Sequence, residues 1–310
     1  MHKIWQAFFT GLFTFSACSL CAVQELVTFK LGSGYRQDHL HVGIQADPCF
    51  PVQFASRLVW SDIQAYMVEG SVTMLTCDRV YLRASIDYGA IRHGNFKHEV
   101  TLNFNSNPVT ISDVDGDADQ GHLFDYNLGI GYQFAFVGGR VTLTPVGGYS
   151  YHEQNFFMDN LVQESFFFGP RGPRANLRKS YRTRWYSPWA GIDFTFGMTR
   201  CLSLQGGFEY HWASFRAKGE WNLNRDTEHR QKAWSVGQVY QMALNYEFNF
   251  ADRDWTIGIE GRYMNWETRH GKNEEFGDDR IFDVEELIKS ELRHTHWHSW
   301  SAMAILQYYY

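Results

Sequence analysis

The stretch "HLFDYNLGIGYQFAF", residues 122–136, decides how the chain is read. Its even positions, Phe124, Tyr126, Leu128, Ile130, Tyr132, Phe134 and Phe136, are apolar or aromatic, while Asp125, Asn127, Gly129, Gly131 and Gln133 hold odd ones. A period of two is the mark of an extended strand, whose successive side chains point to opposite faces. After Gly138 and Gly139 the parity flips, as a tight hairpin requires. Val141, Leu143, Pro145, Tyr149 and Tyr151 then form the apolar face, opposite Thr142, Thr144, Ser150 and His152.

The unit recurs along the chain. "SPWAGIDFTF" (187–196), "LSLQGGFEYHW" (202–212), "YQMALNYEFNF" (240–250) and "WTIGIEGRY" (255–263) alternate in the same way. Ten strands are predicted, near 26–44, 54–75, 79–97, 121–137, 140–160, 180–197, 202–222, 234–250, 254–271 and 293–310. The connections "TCDR", "VGGR", "MTRC" and "ADRD" are short, whereas 45–53, 98–120, 161–179, 223–233 and 272–292 are long and polar. Short turns on one side and long loops on the other define an all-β fold, a ten-stranded antiparallel transmembrane β-barrel. Aromatics make up 17% of the 310 residues, and mean hydropathy is −0.38. Past residue 22 no run approaches the roughly 20 apolar residues of a membrane helix. The final "WSAMAILQYYY" puts Trp300, Ala302, Ala304, Leu306, Tyr308 and Tyr310 on one face, as a closing strand would. An even strand number places both termini on the short-turn side, which is periplasmic in an integral outer-membrane barrel.

Residues 1–22 read as a signal peptide, with Lys3, an apolar run from Ala7 to Leu20 and small residues up to Ala22, leaving 23–310 as a single barrel domain. Cleavage there removes Cys18 and Cys21 and leaves Cys49, Cys77 and Cys201, an odd number for an oxidising compartment. A net charge of −6 offers no footprint for nucleic acid.

Parity also fills the lumen. Arg83, Asp87, Asp125, Arg140, His152, Asp193, Glu209, His211, Glu247, Glu260 and Arg262 are predicted to face inward, with Lys30, Arg36 and Glu69. A ten-stranded lumen carrying both signs of charge is expected to be filled by its own ion pairs, since open channels appear near 16 strands. Outside the lumen, "SDVDGDAD" (112–119) sets Asp113, Asp115, Asp117 and Asp119 around Gly116. Like charges at alternate positions share one strand face, so a solvated turn at Gly116 is expected. A calcium loop is the alternative, and calcium the one cofactor considered, although such loops need 6–8 oxygen ligands. His294, His296 and His298 share one face and read as an interfacial girdle with Trp297 and Trp300, a transition-metal site being the alternative. The apolar spacing in "KNEEFGDDRIFDVEELIKSELR" (272–293) predicts a short external helix.

Beyond these readings, "RLVW" with "VEGSV", the "GN" at Gly94–Asn95, Trp185, Pro188, Trp189 and Gly191 in strand six, and "GGFEYHW" resemble the omptins, ten-stranded outer-membrane aspartyl-type proteases. In overall style the chain is similar to the Protochlamydia outer membrane protein family of environmental chlamydiae. The omptin resemblance implies an Asp pair after the "GN" facing an Asp–His pair beyond "EYHW". This chain has His98 and Glu99 at the first place and Glu220 and Asn222 near the second, with His229 further on. No protease activity is therefore expected. The enzyme alternative is an omptin-like endopeptidase rearranged around Glu99, Glu220 and His229. The family resemblance also implies that Cys77 and Cys201 could form intermolecular disulfides with envelope neighbours. The expected function is an envelope barrel with a structural or limited porin-like role, touching outer-membrane lipid and lipopolysaccharide. A third reading is an adhesin or ligand-binding barrel acting through its outer loops.

Overall fold

Alternating polarity builds a closed wall. A computed structural model describes residues 26–46, 53–104, 107–164, 172–173, 179–221, 227–251, 253–279 and 284–310. The expected signal peptide and Cys49 lie outside the described residues. The strands are β1 (Leu26–Ala46), β2 (Gln53–Leu75), β3 (Val80–Phe104), β4 (Asn107–Tyr132), β5 (Phe134–Phe136), β6 (Val141–Glu164), β7 (Gly172–Pro173), β8 (Lys179–Gly197), β9 (Leu202–Trp221), β10 (Thr227–Phe250), β11 (Arg253–Asp279) and β12 (Val284–Tyr309). β5 carries the line of β4 past Gln133, and β7 is a two-residue rung on β6. The other ten form one antiparallel ring, closed where β1 pairs β12 from Thr28↔Tyr309 to Ala46↔Ser290 and where β4 pairs β6. Closure leaves no edge whose amide and carbonyl groups would meet hydrocarbon unpaired.

The strands are longer than a membrane needs. They run from 19 residues in β8 to 27 in β11, against about 9–11 for a tilted crossing. Near the short turns the outward face is apolar: Leu31, Val68, Ile86, Leu128, Ile130, Leu244, Ile257, Ile259 and Leu306 are exposed. Above this belt lies a row of outward aromatics including Tyr35, Tyr66, Tyr88, Tyr240, Tyr263 and Trp300. Beyond that row the pattern inverts, and the apolar residues turn inward. Leu40, Leu58, Trp60, Phe96, Phe156, Tyr181, Trp185, Phe215, Trp266 and Trp297 are buried inside the far half of the barrel.

Three expectations fail for this reason. Residues 112–119 form no turn, because β4 runs straight through them, with Asp113, Asp115 and Asp117 paired to Glu99, Lys97 and Asn95 of β3. Their inward neighbours Val114 and Ala118 are buried in the apolar core, which holds the segment extended. Gly116 serves the interior, since a Cβ there would meet Leu161 Cδ2 and the Asp159 carbonyl. Adjacent strands relieve the like charges: Lys97 Nζ lies 2.9 Å from Asp113 Oδ2, and Asn160 Nδ2 donates to Asp117 Oδ2 at 2.8 Å. No grouping able to hold a metal occurs among the described residues. The external helix over 272–293 is likewise replaced, by the β11–β12 hairpin, whose register sets Lys272 opposite Glu291 and Glu274 opposite Lys289. Opposite charges directly across a sheet favour that pairing. Trp297 is no girdle residue. It points inward and is fully buried, while His294, His296 and His298 face out, His294 Nε2 lying 3.3 Å from His41 Nδ1 and His296 Nε2 donating to Asn265 Oδ1 at 2.8 Å.

Gly121 in β4 has φ +133°, and a Cβ there would strike the Asn155 carbonyl. Gly121→Ala is expected to cost about 1–3 kcal/mol through strain. Gly70→Ala, where a Cβ meets open space, should stay within about 0.5 kcal/mol. Urea unfolding in lipid vesicles measures both.

Candidate functional site

The lumen has two storeys. Next to the short turns a cavity of 420 Å³ runs from Thr28, Gln133, Thr142, Gln205 and Gln307 inward to Asp125, His152 and Glu209. Its inner wall is made of ion pairs in three clusters. In the first, Arg262 donates to Asp87 Oδ2 (2.8 Å), Glu69 Oε2 (2.9 Å) and Glu260 Oε1 (3.0 Å), and Lys30 Nζ lies 2.5 Å from Glu69 and 2.7 Å from Glu260. In the second, Arg36 grips Asp38 through Nε and Nη2 at 2.7 and 2.8 Å and reaches Asp125 through Nη1 at 2.5 Å. In the third, Arg83 Nη1 spans both oxygens of Asp193 at 3.1 and 3.0 Å while Nη2 holds Glu209. Planar guanidinium forks suit such paired carboxylates. Each arginine reaches a carboxylate on at least one other strand, so the network ties the ring across its lumen.

His152 Nδ1 lies 2.9 Å from Asp125 Oδ1, and His211 Nε2 lies 2.9 Å from Glu209 Oε2. Over them sits the aromatic seal. Trp266 stacks on Trp297 with centroids 5.6 Å apart, Trp185 lies 5.6 Å from each, and Trp185 meets Phe215 at 4.5 Å. Further out, Trp60 stacks on Tyr181 at 4.3 Å and meets Phe96 at 5.1 Å. Arg36 and Arg83 lie 5.4 and 4.5 Å from Trp297 and Trp189, so charge and aromatic layers interlock. Each buried indole also brings a large apolar area.

Two residues expected in this network are elsewhere. Arg140 is exposed in the short turn Val137–Gly139 leads into, and Glu247 is exposed at the short-turn end of β10. Both keep lumenal or turn parity, but the wall has no interior at that height. Asp38, Gln154, Ser150 and Ser187 belong to the network and escaped the sequence reading. The i, i+2 pairs Arg36/Asp38 and Ser150/His152 share one face and were the signal available.

The residues of the enzyme alternative are not brought together. His229 sits opposite Gly219 and shares the inner face, 3.9 Å from Glu275. Glu99 and Glu220 lie on the outer face, where Glu99 accepts from Thr110 at 3.1 Å and Glu220 pairs with Lys218 at 2.8 Å. Inside the far mouth His98 Nε2 lies 2.9 Å from Ser56 Oγ. Burial, with Lys179 and His229 nearby, lowers His98 to about 3, and burial followed by Lys179 lowers His229 to about 4. Burial alone lowers Lys179 to about 7. Cys77 and Cys201 are exposed and unbonded, both in short turns.

A closed antiparallel wall with an outward apolar belt defines an outer-membrane β-barrel. The wall is similar to the outer membrane protease OmpT from Escherichia coli, with a TM-score of 0.77 at 14% identity over 95% of this chain and 100% of that one. At that identity the likeness is one of fold. OprG from Pseudomonas aeruginosa (TM-score 0.29, 11% identity, 92% of this chain and 95% of that one) and the translocator domain of the autotransporter NalP from Neisseria meningitidis (0.34, 8%, 97% and 96%) are much more distant in shape. No curated protein sequence matches. Residues 30–310 match the family model described as Protochlamydia outer membrane protein, and the chain belongs to that family.

Arg36→Met would leave Asp38 and Asp125 buried without their guanidinium, an expected loss of about 3–5 kcal/mol in urea unfolding. Lys218→Ala, in an exposed pair, should cost under about 1 kcal/mol. The two depressed histidines set a pH dependence. Between about pH 6.5 and 4 the unfolded chain binds protons that folded His98 and His229 do not. Their contribution is intact above about pH 6.5 and is lost as pH falls. Amide protection factors in the far hairpins, taken relative to the intrinsic exchange rate at each pH, should fall on acidification, less so in a His98→Gln/His229→Gln variant.

Proposed function

We propose that this outer-membrane barrel is a sealed envelope element, with a structural role and at most limited permeation, its short-turn rim and both chain termini facing the periplasm. The observation that carries this reading is the aromatic layer of Trp185, Trp266 and Trp297, each fully buried in the lumen above a paired charge network. A water-filled path would need that layer to part. Planar-bilayer recording of the folded protein should give no frequent stable conductance steps, and truncating the three indoles to alanine should produce them. Frequent steps from the native barrel would overturn the reading.

We further infer that the barrel is no endopeptidase. The opposite facing of Glu99 and Glu220 relative to His229 supports this, since acid–base catalysis needs its groups within hydrogen-bond reach of one water. In detergent containing lipopolysaccharide, a dibasic fluorogenic peptide should stay intact; robust cleavage abolished by His229→Ala would reverse the conclusion.

Lipopolysaccharide is the proposed lipid partner. Outward on β8 and β9, just beyond the aromatic row, stand Arg182, Arg184, Arg216 and Lys218, with Arg184 Nε 2.9 Å from Glu153 and Arg216 5.6 Å from the Tyr186 ring. Such guanidinium groups suit phosphate. Exposed Cys77 and Cys201 support disulfides to envelope neighbours. Oxidised membranes should then show reducible high-mass species that Cys77→Ser/Cys201→Ser abolishes.

A further inference from the structure

Two of the three charge clusters share a design that sealing alone does not require. Arg36 bridges Asp38 and Asp125, Arg83 bridges Asp193 and Glu209, and in each bridge the second carboxylate also meets an imidazole. The two imidazoles then converge on one hydroxyl. His152 Nε2 and His211 Nδ1 each lie 3.2 Å from Ser150 Oγ. Ser187 Oγ lies 3.1 Å from His211 Nδ1 and also 3.1 Å from the Pro188 carbonyl. The result is one hydrogen-bonded chain from Asp38 on β1 to Asp193 on β8, and Ser150 and His211 at its centre are fully buried.

Counting hydrogens shows what the chain can hold. An ionised carboxylate only accepts, so Asp125 fixes an N–H on His152 Nδ1 and Glu209 fixes one on His211 Nε2. With both rings neutral, the two inner nitrogens are acceptors, and Ser150 has one proton to offer. It serves His152, and Ser187 must turn from Pro188 to serve His211. With one added proton every group falls into line: His152 Nε2–H donates to Ser150, Ser150 donates to His211 Nδ1, and Ser187 donates to Pro188. The proton can also cross. The His152 Nε2–H bond breaks as a new bond forms to Ser150 Oγ, and the former Ser150 proton bonds to His211 Nδ1. One N–H is lost, one is gained, the hydroxyl is restored, and no electrons change hands.

The charge around this chain is net negative. Carboxylates exceed cations by one in both clusters: Asp38 and Asp125 against Arg36, Asp193 and Glu209 against Arg83. The first cluster does not correct this, since Glu69, Asp87 and Glu260 face Lys30 and Arg262, and Asp87 lies directly across from Asp125. Uncompensated buried charge is unfavourable. Aromatic faces complete the surroundings, with Trp266 centred 4.9 Å from His152 and 4.8 Å from His211, and Trp297 5.8 Å from His152. Such rings accommodate a cation. Asp125, His152 and Glu209 line the cavity that reaches the short-turn rim, which supplies a route for exchange.

We propose that His152, Ser150 and His211 form a binding site for one exchangeable proton, shared between the two imidazoles and reached from the short-turn side of the barrel. The test is nitrogen-15 NMR of histidine-labelled barrel in micelles, with the two rings assigned through His152→Gln and His211→Gln. Both inner nitrogens should respond together, as a single one-proton step. Ser150→Ala should uncouple them, so that His211 no longer follows His152. Rings that take up no proton while the barrel stays folded, that respond independently in the native barrel, or that stay coupled in Ser150→Ala would each overturn the proposal. Heat-modifiable electrophoretic mobility checks that each variant is folded. Should a glutamine variant fail that check, loss or retention of coupling in Ser150→Ala decides alone.

Discussion

Hydrocarbon offers no partner to a peptide group, and every other feature of this protein follows from that constraint. A sheet in a bilayer must close, and here it does so by pairing β1 with β12 along nearly their whole length. Closure at ten strands leaves an interior of a width that side chains can fill. The chain fills it in two ways. Within the apolar belt, arginines span carboxylates of distant strands; beyond the belt, indoles and phenyl rings pack as in a soluble core. The two fillings meet where Arg36 and Arg83 lie against Trp297 and Trp189.

That division explains why a barrel with an omptin-like wall need not share omptin chemistry. The wall is a scaffold, and activity belongs to whichever side chains the mouth presents. Here the inner face of the mouth holds His98, Lys179 and His229 under strong desolvation, while the carboxylates nearest in sequence point outward. The most elaborate polar arrangement lies deeper, around Ser150.

The membrane half of the fold was legible because one rule, apolar out and polar in, holds for every strand there. Leu128 and Ile130 face outward and Asp125 inward as their parity predicts. The far half was misread because the rule reverses. In β12, Trp300 and Leu306 face out, yet Trp297 faces in, and the residues between them give no break in the alternation. A reader who expects polar loops therefore stops the strands too early. Asp113 to Asp119 were misjudged for a related reason: their relief comes from Lys97 and Asn160 on other strands, which local sequence does not reveal. The network was readable as a set of inward charges but not as pairs. Arg36 and Asp125 are 89 residues apart, and Arg262 and Asp87 are 175 apart. Only i, i+2 neighbours, such as Arg36 with Asp38 and Glu209 with His211, are visible locally.

The reversal of polarity along each strand also limits how this chain can vary in length. Losing one residue from the middle of a strand would shift everything on one side of it to the opposite face. In β12, for instance, a deletion near Trp300 would leave one half in register and turn the other inside out, placing either indoles against headgroups or charges against acyl chains. No local repacking could remedy that. Insertions and deletions are thus expected at hairpin ends and at the existing register shifts, such as that between Gly43 and Ile44, while the strand interiors keep a fixed residue count.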